Sequence, residues 1–196
     1  APWAPRAAAA VAIHRDRLWL FGGTSHPKVP GSNFADIWST VDGRTWEREL
    51  EEAPWGARSY LQAAVLNDRI YVMGGGSYLP FYHAENDVWS SSDGREWRRE
   101  TKNAPWLARI WFSAVSYGDY LWVVGGWSNH PYRNHNDVWR SQDGRHWERV
   151  GHIGPLWSPR HEHSVVVHQS SLFVLGGYGS PMRNDVWKLG EVVGPP

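Results

Sequence analysis

The sequence predicts an all-β fold, a β-propeller of four blades in which each blade is a four-stranded antiparallel sheet. Three observations lead to this prediction. An arginine opens four similar segments, 51 or 52 residues apart. In each segment, an apolar run that contains an aromatic residue ends in two glycines. An Asp-Val-Trp or Asp-Ile-Trp triplet then follows. The opening residues are Arg6, Arg58, Arg109 and Arg160.

The first half of the second segment predicts a hairpin. Two apolar runs, 58–66 and 69–73, flank Asn67-Asp68, a pair that favours a tight turn between antiparallel strands. The second run ends at Gly74-Gly75, where glycine permits a positive φ and the close approach of a neighbouring backbone. The segment therefore begins with two paired strands.

The second half of the same segment predicts two more strands. After a variable loop, residues 86–90 carry the Asp-Val-Trp triplet and have the composition of a strand. Asp93-Gly94 then supplies a turn into a fourth strand at 96–99. Four strands in about 50 residues make one blade.

Applied to the whole chain, the repeat predicts a single domain over residues 1–196. The blades are expected at about 6–50, 58–101, 109–151 and 160–193. The last copy lacks Asp-Gly-x-x-Trp, so its fourth strand is short, at Glu191 to Val193, or missing. We expect a compact four-bladed ring. The alternative is a larger ring that further sequence or a second chain completes.

The composition excludes several classes of function. Acidic and basic residues are equal at 20 each, which disfavours nucleic-acid binding and attraction to an anionic membrane. No apolar stretch is long enough to cross a bilayer. The chain has no cysteine, which excludes disulfides and thiolate sites but is compatible with export and with the cytosol alike. The first residues do not have the pattern of a signal peptide, so we expect none in the given residues, and we expect no cofactor.

The 15 tryptophans follow the repeat. Thirteen occupy equivalent positions in several copies, where large flat side chains fill the space between twisted blades, so we interpret them as structural. Trp111 and Trp127 fall outside this pattern.

The paired glycines, the aromatic residue before them and the late tryptophan together resemble the kelch repeat. The resemblance covers nearly the whole chain, and it implies a propeller that binds ligands on the face where the variable loops lie. The galactose-oxidase branch of such propellers needs a cysteine cross-linked to a tyrosine, and this chain has none. The Asp-Gly-x-x-Trp element also looks like the Asp-box of sialidase-type propellers, but it is one residue short.

Candidate ligand contacts are the positions at which the copies differ on that face. Residues that build blades are under the same constraint in every copy, so variable positions at the rim are free to serve a ligand. These positions follow the opening arginine or the glycine pair, and the candidates are Tyr60, Trp111, Trp127, Tyr178, His161 and Glu162. The alternative is drift at loop ends.

The repeated arginines are a second candidate. The resemblance implies that Arg58, Arg109 and Arg160 ring the mouth of the channel, where their guanidinium groups could fork onto acidic peptides. The alternative is structural, because each arginine follows a tryptophan by three residues and could stack on it in a cation–π contact.

Histidines supply a third, weaker candidate. His161 and His163 lie two residues apart on an expected strand, and with His135 or Glu162 they could bind a metal ion. No motif for nucleophilic or phosphate chemistry is present.

The sequence therefore predicts a binding module whose ligand is a peptide, a partner protein or a glycan. Two alternatives remain. One is an enzyme, either a hydrolase, lyase or epimerase of a sugar acid or a metal-dependent enzyme that uses His161 and His163. The other is an assembly protein that completes its ring with another chain.

Overall fold

The computed structural model describes residues 1–79, 81–151 and 156–189 of the chain. Its fifteen strands form four antiparallel sheets, and within each sheet the strands follow chain order. The predicted fold class, a four-bladed propeller, is confirmed. Across the described residues we find no helix that is long and apolar enough to cross a membrane.

The sheets correspond to the four repeats. Blade 1 contains β1 (Ala10–His14), β2 (Arg17–Phe21), β3 (Ile37–Thr40) and β4 (Glu47–Leu50). Blade 2 contains β5 (Gln62–Leu66), β6 (Arg69–Ser77), β7 (His83–Ser91) and β8 (Arg98–Thr101). Blade 3 contains β9 (Ser113–Tyr117), β10 (Tyr120–Asn129), β11 (Tyr132–Ser141) and β12 (Glu148–Arg149). Blade 4 contains β13 (Ser164–His168), β14 (Ser171–Tyr178) and β15 (Met182–Leu189). The short last strand predicted at Glu191 to Val193 lies outside the described residues.

The Asp-Gly-x-x-Trp element forms a turn that satisfies its own polar groups. Asp93 Oδ1 accepts the backbone N–H groups of Arg95 and Glu96, each at 2.9 Å. Trp97 Nε1 donates to the carbonyl of Gly94 at 3.0 Å. Because these bonds are local, the element positions the last strand of the blade without help from a ligand or a metal.

Successive blades pack through their first strands, β1 against β5, β5 against β9 and β9 against β13. Tryptophans fill the space between blades, as the repeat predicts. Trp55 makes an edge contact with Trp97 of its own blade, with ring centroids 4.6 Å apart, and also lies 6.5 Å from Phe21 of blade 1. Trp106 and Trp157 are buried at the next two junctions.

The second glycine of the pair allows the segment that enters a blade to lie against the second strand of the same blade. Gly75 has a φ of +79°, and a Cβ added there would lie 2.5 Å from the backbone nitrogen of Leu61. A side chain at this position would therefore separate β6 from the segment that enters β5. This is the physical reason for one of the strongest features of the repeat.

The compact ring expected from the sequence would also require β13 to pack against β1. Among the described residues these two strands form no junction comparable to the other three.

Candidate binding face

The second residue after each opening arginine has the same backbone conformation in all four blades and bonds to its equivalent in a neighbouring blade. These residues have a left-handed φ, between +53° and +59°, and they are Ala8, Tyr60, Trp111 and Glu162. Tyr60 N donates to the carbonyl of Ala8 at 2.8 Å, and Glu162 N donates to the carbonyl of Trp111 at 3.1 Å. These bonds run from blade to blade, so equivalent positions of different repeats meet.

A second set of backbone bonds joins the two groups of variable positions. Ile110 N donates to the carbonyl of Trp127 at 3.0 Å, and His161 N donates to the carbonyl of Tyr178 at 3.1 Å. In each blade, the residue after the arginine therefore pairs with the residue after the glycines. This pairing explains why both groups of variable residues lie on one face.

The side chains on this face form a continuous aromatic cluster, which we call the aromatic face. Trp111 lies at its centre, with its ring centroid 5.4 Å from Tyr60, 5.6 Å from Trp127 and 4.9 Å from His161, on which it stacks. His161 continues to Tyr178 at 5.2 Å. The structure thus brings together the five predicted aromatic and histidine residues. The full set is Tyr60, Tyr78, Tyr82, Trp111, Trp127, Tyr132, His161 and Tyr178.

The aromatic face is buried at its base and open at its rim. Trp127 is only 6% exposed, whereas Tyr132 and Tyr178 are exposed to solvent. Tyr60 and Trp111 are half-buried between these extremes. A rigid buried base with a graded rim lets the exposed rings contact a ligand without large losses of side-chain entropy.

His161 and Glu162 add polar groups to the aromatic face. His161 Nδ1 bonds to Asn134 Oδ1 at 2.6 Å, so this nitrogen is the donor. Burial lowers the pKa of His161, and the nearby Glu162 carboxylate only partly opposes the shift, so the ring is neutral at pH 7. Glu162 itself is exposed. Burial raises the pKa of Tyr60 in blade 2, and the Glu162 carboxylate of blade 4 adds a smaller shift in the same direction.

The four arginines make the same contacts in all blades. Arg109 Nη1 donates to Asp137 Oδ1 at 2.6 Å and to the carbonyl of Gly125 at 2.9 Å. Its Nη2 donates to Asp137 Oδ2 at 3.0 Å. Trp139 Nε1 donates to the same aspartate at 2.9 Å. The equivalent pairs are Arg6 with Asp36, Arg58 with Asp87 and Arg160 with Asp185.

These contacts explain why the opening arginine and the Asp-Val-Trp triplet both recur in the repeat. In each blade, the arginine binds the aspartate of the triplet. Arg109 and Arg160 are fully buried, and Arg58 is largely so. The predicted cation–π contact between each opening arginine and the tryptophan three residues before it is not found in the described residues. The opening arginine that stacks on an aromatic ring is Arg6, 4.0 Å from the ring centroid of Phe34.

The histidines considered as metal ligands do not form a ligand set in the described residues. His163 is buried, and neither ring nitrogen has a hydrogen-bond partner. His135 Nε2 bonds to Ser128 Oγ at 2.8 Å. Burial lowers the pKa of each to about 4. Within residues 1–79, 81–151 and 156–189, no three histidine or acidic side chains are arranged to hold a metal ion.

Sequence comparison of the copies missed three members of the aromatic face. Tyr78 and Tyr82 lie in the loop between β6 and β7, and Tyr132 is the first residue of β11, in parts of blades 2 and 3 where the copies cannot be aligned residue by residue. Tyr82 lies 5.1 Å from Trp127, and Tyr132 lies 5.2 Å from the same ring. The tyrosines between the glycine pair and the Asp-Val-Trp triplet of blades 2 and 3 are the one signal that could have identified them.

The blades, the blade-to-blade bonds and the aromatic face define a β-propeller domain with a loop-built surface on one side. Comparison with known proteins also indicates a propeller domain. The family model described as the KLHDC2/KLHL20/DRC7 Kelch-repeats domain matches residues 1–177. The chain belongs to the kelch family, whose propellers typically serve as protein-interaction modules.

One characterised relative is beta-scruin of Limulus polyphemus. It is 32% identical to this chain over 126 residues. The match covers 62% of this chain and 13% of beta-scruin. The similarity therefore concerns a small part of that protein.

Proposed function

We propose that this domain is a protein-interaction module whose aromatic face binds a peptide segment of a partner protein. The observation that carries the proposal is the contact of Tyr60, Trp111 and His161 across three blades. The three residues stand at positions where the repeat imposes no common side chain. Blade construction therefore does not account for an aromatic cluster at this place, whereas ligand binding does.

The rim has the character of a protein-binding hot spot. Tryptophan and tyrosine supply large contact areas with few rotatable bonds, and they dominate binding energy when they surround a desolvated centre. The half-buried Trp111 lies at such a centre, and the exposed Tyr132 and Tyr178 lie at the rim. A partner side chain that is aromatic, aliphatic or proline would bury its apolar surface against Trp111.

The charges on the aromatic face favour a neutral or basic segment. The guanidinium groups of Arg109 and Arg160 are buried and already bonded to aspartates, so they are poorly placed to bind an acidic peptide. The exposed Glu162 carboxylate stands beside the rings. A lysine or arginine next to the apolar anchor of the partner would pair with it and contact the ring faces.

A glycan could stack on the same rings, and the experiment separates the two ligands. The purified domain is applied to a peptide array and to a glycan array, followed by titration of the best ligand of each. We expect peptides with an apolar anchor and an adjacent basic residue to bind. Selective binding of glycans would replace the peptide proposal with carbohydrate binding.

A pair of variants tests the location of the site. Trp111→Ala is expected to weaken binding by about 30-fold or more, the loss typical of a hot-spot residue. Trp46→Ala removes an indole from the turn of blade 1, remote from the aromatic face, and should bind normally. Equal affinities of the two variants would refute the assignment, provided that both melt cooperatively.

A further inference from the structure

The three junctions between blades bury the same positions each time. The aromatic residues of the second strand that face the next blade are Trp19, Tyr71 and Trp122, and all are buried. The β-branched residue of the Asp-Ile-Trp or Asp-Val-Trp triplet faces the same way. Ile37, Val88 and Val138 are at most 5% exposed. These positions therefore report whether a blade has a neighbour on that side.

Blade 4 carries the same apolar residues, but no blade among the described residues packs against them. Val186 stands where Ile37, Val88 and Val138 stand in the other blades, yet it is 62% exposed. Val166, on β13, is 45% exposed. A Cβ added to Gly176 would meet only the carbonyl of Arg183, whereas one added to the equivalent Gly22 would collide with Leu61 of the following blade. We call this surface the tail face.

Blade 1 has the opposite surface, which no other blade in the described part of the chain covers; we call it the head face. Leu18 is 36% exposed, although the equivalent residues Ile70, Leu121 and Leu172 are completely buried against the preceding blade. On β1, Val11 and Ile13 alternate with buried residues and point the same way, and Ile13 is 74% exposed. Much of the apolar side of the first blade is thus left uncovered by the residues that the structure describes.

The glycines of the Asp-Gly turns show independently that blade 1 lacks, within the described ranges, the neighbour that blades 2 and 3 have. A Cβ added to Gly94 would lie 2.1 Å from Trp19 of the preceding blade, and one added to Gly144 would lie 2.8 Å from Tyr71. A Cβ added to Gly43, the equivalent residue of blade 1, would meet nothing within 4 Å. The turn of blade 1 therefore lacks the aromatic residue that the turns of blades 2 and 3 pack against.

We propose that the head face of one copy of this chain binds the tail face of another. Each face carries, at equivalent positions, the apolar residues of one half of a junction that the chain itself forms three times. In the complex, Phe173 of one copy takes the place of Trp19 and packs over Gly43 of the next copy. Exposed apolar surfaces of this kind mark interaction sites, and a head-to-tail contact closes a ring or extends into a filament. This proposal does not depend on the ligand of the aromatic face.

The molar mass of the wild-type chain, measured by light scattering across a concentration series, tests the proposal. We expect the mass to rise above that of a monomer. Ile13→Glu on the head face and Val186→Glu on the tail face should each lower the mass of assemblies formed at a given concentration. Both positions are exposed in the single chain, so neither change should lower the melting temperature appreciably. Phe81→Glu alters a residue that is 79% exposed and lies outside both faces, so it should associate like the wild type.

Mixing the two variants tests the direction of association. The Ile13→Glu variant retains an intact tail face, and the Val186→Glu variant retains an intact head face. An equimolar mixture should therefore form dimers that contain one copy of each. A wild-type chain that remains monomeric at its highest soluble concentration would overturn the proposal. The proposal would also be overturned if either variant associated as strongly as the wild type. The same holds if the equimolar mixture stayed monomeric.

Discussion

The guanidinium of Arg109 is bonded to both carboxylate oxygens of Asp137, at 2.6 Å and 3.0 Å, across 28 residues of sequence. Burial alone would raise the pKa of Asp137, but the paired Arg109 and the indole of Trp139 hold it below its usual range. The pair joins the entry of blade 3 to its third strand, and the same arrangement recurs in every blade.

Breaking this pair is expected to be costly. Arg109→Ala leaves Asp137 charged and partly buried without its partner, which should lower the free energy of unfolding by about 3–5 kcal/mol. Urea denaturation at pH 7 measures the change. Arg15→Ala is the matched control, because Arg15 bonds to Asp68 in the same forked manner but both side chains are exposed. Arg15→Ala should change the free energy of unfolding little. An equal decrease in the two variants would contradict a structural role for the buried Arg109.

Substitution of two equivalent glycines should separate backbone strain from packing between blades. Gly43 and Gly94 have φ values of +72° and +76°, so alanine costs about 1–2 kcal/mol in backbone conformation at either site. Only Gly94→Ala also forces a Cβ against Trp19. We expect it to be clearly the less stable variant in thermal melts at a concentration where the chain is monomeric. Equal stability would mean that the turn does not pack on the preceding blade.

The buried His163 should make the stability depend on pH. Its pKa is about 4 in the folded chain and about 6.5 in the unfolded chain, so the unfolded state binds the proton more strongly. The free energy of unfolding should be constant above pH 6.5 and fall as the pH decreases from 6.5 to 4. The contribution of His163 reaches roughly 3 kcal/mol at the lower end, and His135 adds to the slope in the same direction.

His163→Leu should reduce that slope, because it removes the group that titrates. The variant should also be more stable at pH 7, since it eliminates two ring nitrogens without partners and installs the residue that blade 2 has at this position, Leu61. Denaturation curves at pH 5 and pH 7 measure both effects, with His130→Gln as an exposed control. An unchanged slope in His163→Leu would contradict this account.

The electrostatic interaction between Tyr60 and Glu162 can be used to test whether blades 2 and 4 meet at the aromatic face. The Glu162 carboxylate contributes to the raised pKa of Tyr60, although burial contributes more. Glu162→Gln should therefore lower the pKa of Tyr60 towards its usual value without restoring it fully. NMR titration of the tyrosine ring carbons measures the shift, and Glu47→Gln, on the exposed edge of blade 1, serves as the control. Identical Tyr60 titrations in both variants would show that the two residues are far apart.

Much of the fold follows from the sequence because the determinants of a blade are local and repeated. Asn67-Asp68 adopts the positive φ values of a hairpin turn, and Asp93-Gly94 forms the second turn by local hydrogen bonds. Both features can be recognised in one copy of the repeat. The structural purpose of the arginines was harder to identify, because their partners are 25 to 30 residues away in the sequence.

The candidate site could be predicted only where the copies align. Tyr60, Trp111, Trp127, Tyr178, His161 and Glu162 occupy equivalent positions, so comparing the repeats identified them. Tyr78 and Tyr82 lie in the loop between β6 and β7, and Tyr132 begins β11; the segments between the glycine pair and the Asp-Val-Trp triplet differ in length, so these residues have no equivalents to compare. The sequence could not show whether the blades close, because closure depends on the angle between sheets rather than on any residue pattern.

The indole N–H signals of the 15 tryptophans offer the most direct test of the central claim, that the aromatic face binds the ligand. A peptide selected from the array is titrated into isotope-labelled protein, and the indole resonances are followed by NMR. We expect the Trp111 and Trp127 signals to shift with a single dissociation constant while those of Trp46 and Trp97 stay in place. Shifts confined to tryptophans of the blade turns, with Trp111 and Trp127 unaffected, would contradict the account.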